Sequence, residues 1–262
     1  VTMKLYELTD DTIEVAGRTL HRIKALTSFA NVQKGDLGGY IESKKNLATA
    51  GNCWVYDNAK VYGNAMVLGD SAVCNNAEVF GYAIVDMNAR ILDEAKVCGR
   101  AIVYRNATVS IMAKVCGYTR VKDEATVTDK AIVTGKTCVY GNARVGDNAS
   151  ISGEATIGGE AYIFGNAQIT GTANIKSVTQ IGGNAIIRYT TDYITIQGVA
   201  KDGITFHKSD DEIKICSKYY FGSLDNFKKQ TLEKPLGKTK DSIIEGLLLL
   251  IELAECHFTN HN

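Results

Sequence analysis

Four histidines, His21, His207, His257 and His261, are the side chains of this 262-residue chain best suited to move a proton near neutral pH. His257 and His261 bracket three residues and follow Cys256, a spacing that two metal ligands can use. They end a polar tail, where a disordered segment is the plainer reading, so no metal site is expected. No Ser/His/Asp arrangement, phosphate loop or pair of carboxylates stands out. A second group of residues is suited to bind rather than to react. Steps of eighteen from Asn64 meet Tyr82, Arg100, Tyr118 and Lys136, aromatic and cationic in turn. Gathered on one edge, these side chains could sandwich a base and hold a phosphate, with Arg105, Arg120 and Lys122 nearby. The plainer reading is a solvated edge with tyrosines at an interface.

Whether those residues gather depends on the elements beneath them, and a repeat sets those elements. Steps of six from position 59 to 185 meet 22 residues, of which 18 are Ala; the others are Ser71, Thr119, Thr137 and Thr179. Steps of six from Val55 to Ile187 meet 23 residues, all Val or Ile. The unit reads V-x-G-N-A-x, as in Val61 to Met66. Val or Ile faces inward from a short strand, where a β-branched side chain fits the pleat. Ala, two residues earlier, faces inward too, and its size suits a tight interior. The Gly-Asn or Asp-Asn pair between them turns the chain, because both residue types tolerate positive φ. Positions 63, 81, 99, 117, 135, 153 and 171 are all Gly, while another corner runs Gly69, Met87, Arg105, Asp123, Gly141, Gly159 and Ser177. Corners that differ in this way require three units per coil. About seven to eight coils therefore stack, at roughly 4.8 Å each. Gly158-Gly159 and Gly182-Gly183 belong to the corner series and are structural.

The V-x-G-N-A-x series resembles the hexapeptide-repeat proteins. The fold class that follows is mainly β, a three-sided left-handed parallel β-helix over 46–188. The handedness comes from the resemblance, since general crossover rules favour the other hand. The segment Gly35-Asp-Leu-Gly-Gly-Tyr-Ile-Glu-Ser, ahead of Asn52-Cys-Trp-Val-Tyr-Asp-Asn-Ala, is similar to phage and prophage members of that group, some of them labelled acyltransferases on fold alone. The resemblance implies acyl transfer from acetyl-CoA, in which a coil His acts as general base beside a loop that leaves the coils. Here no His lies in the coils, and the phase from 59 to 187 leaves no room for such a loop. No cofactor is expected.

The ends read as caps. Residues 1–45 form an N-terminal β cap, with strands separated by turns at Asp10-Asp11 and at Ala16-Gly17-Arg18. Residues 189–262 form a small α/β cap. In it, Ser209-Asp-Asp-Glu turns a hairpin, Ser223 caps a helix over about 224 to 233, and a second helix runs over about 240 to 257. That second helix carries Ile243, Leu247, Leu250, Ile251 and Ala254 on one face, which Leu248 and Leu249 widen, so the whole face is expected to be buried.

With the interior assigned, function falls to outward positions. One column holds Tyr62, Phe80, Cys98 and Cys116; the next face holds Met66, Ile84 and Ile102, with Leu68 and Tyr104 alongside. A contiguous apolar exterior usually marks a partner surface. Hexapeptide-repeat proteins are commonly trimers, so the resemblance points to a homotrimer; the alternative is that the caps fold back over these columns. Cys98 and Cys116 stack on adjacent coils and read as packing thiols, since seven cysteines without a secretory signal suit a reducing bacterial cytoplasm. With 29 basic and 29 acidic residues, bulk charge favours neither long nucleic acid nor an anionic membrane. The expectation is a non-catalytic homotrimer that sequesters a host small molecule or nucleotide signal in grooves between subunits. A CoA-dependent acyltransferase and a structural or assembly protein are the alternatives.

Overall fold

The computed structural model describes residues 6–197, 203–210, 212–217, 220–233 and 241–260. Two-residue strands run from Trp54–Val55 to Ile186–Ile187, one per six-residue unit, and stack into the three flat faces of a parallel solenoid. One face is 8-stranded, one 7-stranded, and the third is an 11-stranded sheet that includes the N-terminal strands. The stack is therefore about eight coils high, as the repeat requires. Each rung bonds to the next coil, as Lys60 N–H does to Ala77 O (2.9 Å) and Lys96 N–H to Ala113 O (2.9 Å).

Every Val or Ile of the six-step series is 0 % exposed, Val103 and Val109 among them. The alanines of the companion series share that interior, including Ala101 and Ala107. The four departures from Ala keep the small volume and satisfy their hydroxyls locally. Ser71, Thr119, Thr137 and Thr179 each donate to the carbonyl three residues back, at 2.6, 2.6, 3.1 and 2.7 Å. A buried hydroxyl is thereby made harmless.

At the N-terminal end, Tyr6–Val15 and Arg18–Ala25 form a hairpin, and Leu37–Ile41 joins it to the first coil by pairing in parallel with Lys60–Val61. The turn at Ala16-Gly17 has positive φ at both residues (50° and 71°), as a tight hairpin turn requires. Asp10-Asp11 is not a turn, contrary to expectation. The register shifts there between Leu8 and Thr12, and the strand continues through the irregularity. Donors from this segment meet the carbonyls of the first coil: Tyr40 N–H on Ala59 O (2.8 Å) and Ala48 N–H on Val67 O (3.0 Å). The buried Asn46 amide bonds Gly63 O (3.1 Å) and Ala65 O (2.9 Å).

At the C-terminal end, Tyr193–Ile196, Ile204–Ser209, Glu212–Ser217 and Tyr220–Ser223 form a 4-stranded antiparallel sheet. The expected hairpin is its centre, and the two outer strands were not legible in the sequence. Helix α1, Leu224–Glu233, starts at Ser223, whose hydroxyl accepts from Asn226 N–H (3.2 Å). Helix α2, Asp241–Asn260, lays Ile251, Ala254 and Phe258 against Phe206, Ile215 and Leu224. Leu249 is 65 % exposed, so the buried face is narrower than expected. The side chains of Ile243 and Leu247, together with residues 3–5 and His261, lie outside the described residues. Among the described residues, no helix is long and apolar enough to cross a membrane.

Candidate functional site: the glycine-cornered ridge and its neighbouring face

One edge of the prism is built on Gly63, Gly81, Gly99, Gly117, Gly135, Gly153 and Gly171, with φ between 59° and 80°. Two constraints keep this column glycine. The left-handed conformation disfavours a Cβ, and a Cβ on Gly117 would also lie 2.7 Å from Gly135 O of the next coil. The other corners are not uniformly glycine and place Met87, Arg105 and even the β-branched Ile111 at positive φ.

The residue after each glycine projects from the ridge. Tyr82, Arg100, Tyr118 and Lys136 each donate a backbone N–H to the following coil's glycine carbonyl at 2.7 Å, so their side chains stack one coil apart. The structure brings Tyr82, Arg100 and Tyr118 together. The Arg100 guanidinium carbon lies 5.5 Å from the Tyr82 ring centroid and 5.6 Å from that of Tyr118. The slot between the rings is thus filled by the chain's own cation, while both tyrosines remain exposed. Lys136 turns away to Glu154 (2.9 Å), whose carboxylate raises the lysine's pKa while the ammonium lowers that of the glutamate.

The other cations are separate from the ridge. Arg105 occupies the far corner of the 7-stranded face and pairs with Asp123. Burial pushes the Asp123 pKa up, but the Gly141 N–H and the Arg105 guanidinium outweigh it and hold the carboxyl below its usual value. Lys122 Nζ lies over the Tyr140 ring at 5.4 Å. Arg120 is exposed, in register between Ile102 and Cys138, with no ion pair among the described residues.

The two apolar columns fare differently. Tyr62 is 8 % exposed beneath Leu20 and Tyr40 of the N-terminal segment and stacks on Phe80 with centroids 5.1 Å apart. Its own chain has taken the surface that an interface would need. Burial, then Glu78, pushes its phenol up to about 12. Cys98 and Cys116 are joined as a disulfide, not packed as free thiols. In-register strands put their Cα atoms 4.6 Å apart, within disulfide reach, and the expectation of thiols had rested on compartment alone. Met66, Ile84, Ile102, Leu68 and Tyr104 form an outward patch on the 7-stranded face, Met66 exposed and the rest half-buried.

The three described histidines lie away from this surface. His21 is in the N-terminal hairpin, where Nδ1 meets Thr9 O at 3.1 Å. His257 sits in α2, not in a disordered tail, and donates through Nε2 to Thr191 O at 2.7 Å. His207 is 0 % exposed: Nδ1 faces Lys208 O (3.2 Å), so Nε2 accepts from Gly182 N–H (3.5 Å) and the Cys216 thiol (3.3 Å). Burial drives its pKa down to about 4 and that of Cys216 up to about 12, so this pair stays neutral and closed to solvent. Sequence spacing gave no sign that these two residues meet.

Stacked coils with a Val/Ile–Ala interior define a parallel β-solenoid and fit the hexapeptide-repeat β-helix family. No protein-family model matches the chain. The chain is similar to the uncharacterized acetyltransferase YdcK of Escherichia coli strain K12, with 40% identity over 55 residues. That match covers 21% of this chain, and the chain spans 17% of the length of that protein.

Proposed function

We propose that this protein is a non-catalytic, left-handed β-helix that works by binding and assembles as a homotrimer through its 7-stranded face. The supporting observation is one continuous apolar patch. Met66, Ile84 and Ile102 lie in register on three successive coils, with Leu68 and Tyr104 on one side and the Tyr82–Arg100–Tyr118 ridge on the other. A closed symmetric assembly removes such a patch from water. The adjoining ridge supplies tyrosine and arginine, side-chain types enriched where binding energy concentrates in interfaces.

The same packing would set cations beside the groove between subunits, Arg120 among them, which makes no ion pair among the described residues. A small anionic ligand with a flat ring, such as a nucleotide, fits that chemistry; its base would stack on an outer face of Tyr82 or Tyr118. The likeness of the N-terminal segment to phage proteins supports sequestration of a host molecule as the role. Native mass spectrometry of protein purified from bacterial lysate tests both parts. A trimer carrying a retained nucleotide mass is expected, and Ile84→Asp is expected to give monomers. A wild-type monomer would rule out the assembly, and a trimer from which no nucleotide or other anion is released on denaturation would rule out the ligand.

A second reading is acyl transfer from coenzyme A, which the similarity to YdcK supports. Against it stand coils without histidine and a phase with no loop excursion. A rise in melting temperature with coenzyme A, together with acetyl-CoA turnover, would favour it.

A further inference from the structure

The 8-stranded face carries a feature that neither the ridge nor the trimer contact uses. Outward positions on its first three strands are Trp54, Ala72 and Arg90, in register on successive coils. Trp54 is 1 % exposed under the 26–36 loop, whose Phe29 ring meets it edge-on with centroids 5.5 Å apart. Ala72 has too little side chain to fill the next place, and Arg90 rises beyond it. A cleft of about 580 Å³ results, with the loop as one wall. That volume lies within the range of small-molecule sites.

The charges lining the cleft are two carboxylates at opposite edges of the face and one guanidinium. Asp57 and Asp70 belong to the first two coils, and backbone holds one oxygen of each. Asp57 Oδ2 accepts from Asn75 N–H (3.0 Å), and Asp70 Oδ1 accepts from Asn52 N–H (2.9 Å). Their second oxygens have no hydrogen bond among the described residues. Arg90, on the third coil, is exposed and its side chain makes no hydrogen bond or ion pair among them. The Tyr56 phenol and Cys74 thiol lie within reach of both signs. Burial is the main reason that their pKa values are raised; Asp57 adds to the rise and Arg90 opposes it.

A phosphate at Arg90 would also face two carboxylates, and a neutral ligand would leave both signs uncompensated. A molecule bearing both charges meets both. We propose that this cleft binds a small zwitterion with an ammonium and a carboxylate, the chemistry of a free amino acid, placing the carboxylate on Arg90 and the ammonium toward Asp57. The site lies on a different face from the proposed trimer contact, so either can fail alone.

Thermal-shift measurements and calorimetry on the full chain, with the free L-amino acids and 4-aminobutyrate at millimolar concentration, test the proposal. At least one of these should raise the melting temperature and give a measurable Kd. Its methyl ester and its N-acetyl form should each bind about tenfold more weakly or worse. Arg90→Ala, which removes the cation, and Ala72→Trp, which fills the floor, should each cause a loss of about tenfold or more. Both positions face outward, so unchanged circular dichroism without ligand shows that the variants are folded. Three results would overturn the idea: no member of the panel binds, both variants bind like wild type, or inorganic phosphate alone binds.

Discussion

The two ends of the solenoid face opposite chemical problems. Outward and corner residues of each coil send their N–H groups to carbonyls of the next, as Lys60 does to Ala77 and Asn64 to Gly81, so the first coil chiefly lacks donors and the last chiefly lacks acceptors. At the N-terminal end, the backbone N–H groups of Tyr40, Glu42 and Ala48 and the Asn46 amide supply the donors, while the Glu42 carboxylate accepts from Gly63 N–H (2.6 Å). At the C-terminal end, side chains supply the acceptors. Thr205, His207 and Ser209, alternate residues of one strand and all buried, accept from the N–H groups of Gln180, Gly182 and Asn184. Asp192 accepts from Arg188 and Tyr189 (2.6 and 2.9 Å). A backbone cap is indifferent to which side chains it carries. A side-chain cap depends on hydroxyls, a carboxylate and an imidazole, and burying that imidazole neutral makes the cap sensitive to acid.

The largest expected effect exploits that asymmetry. Buried His207 has its pKa lowered from 6.5 to about 4, so between those values the unfolded chain binds the proton and the folded chain does not. Stability is therefore fully present above pH 6.5 and is lost as pH falls through the window toward 4, by at most on the order of 3 kcal/mol. Protonation also converts Nε2 from an acceptor into a donor facing the Gly182 N–H. Hydrogen exchange at pH 7.5 and 5 should show the protection of Gly182 and its neighbours falling at the acidic pH, while the first coil is unchanged. Equal loss at both ends would show that the caps are not chemically distinct.

A smaller effect is expected from Asn46→Leu at the opposite end. The variant keeps the branched shape but leaves the Gly63 and Ala65 carbonyls without that donor, a cost of about 2 kcal/mol for buried acceptors. The loss should be the same at pH 7.5 and 5, because no titratable group is involved, and it should expose the first coil to exchange. Urea titrations at the two pH values measure it. A pH-dependent loss would mean that Glu42, the carboxylate that accepts from Gly63 N–H in this cap, is protonated by pH 5 despite its lowered pKa.

What the sequence revealed follows the same division. Inside the coils, a step of six or eighteen converts directly into a position in space, so the interior, the three faces and the Tyr82–Arg100–Tyr118 column were all legible. Distances along that column are set by the backbone, which is why the residues do meet. What fills the gap between the two rings depends on a rotamer, and there Arg100 occupies the place expected for a ligand. The Cys98–Cys116 bond was geometrically legible, since register alone puts the two residues on adjacent rungs, but the redox argument masked it. Outside the coils no period exists. The continuous Tyr6–Val15 strand, the outer strands of the C-terminal sheet and the contact of His207 with Cys216 follow from tertiary packing that no local pattern announces. The Ala72–Arg90 cleft was missed for another reason. Small outward residues carry no signal until the covered Trp54 beside them turns one into a depression.

The smallest expected effect lies between the ends and tests whether they communicate. Arg100→Ala removes two stacked contacts at an exposed ridge, each worth about 0.5–1 kcal/mol. The global loss should be about 1 kcal/mol, read as a small drop in denaturation midpoint with an unchanged slope. In a stack where each coil touches only its neighbours, that loss should remain local, leaving exchange at both caps as in wild type. Arg100→Lys should recover part of it, because an ammonium still stacks on the rings but lacks the planar fit of a guanidinium. If Arg100→Ala instead frays the His207 end more than the Asn46 end, the weaker, side-chain cap depends on rigidity supplied from the middle of the stack, and its chemistry alone does not explain its stability.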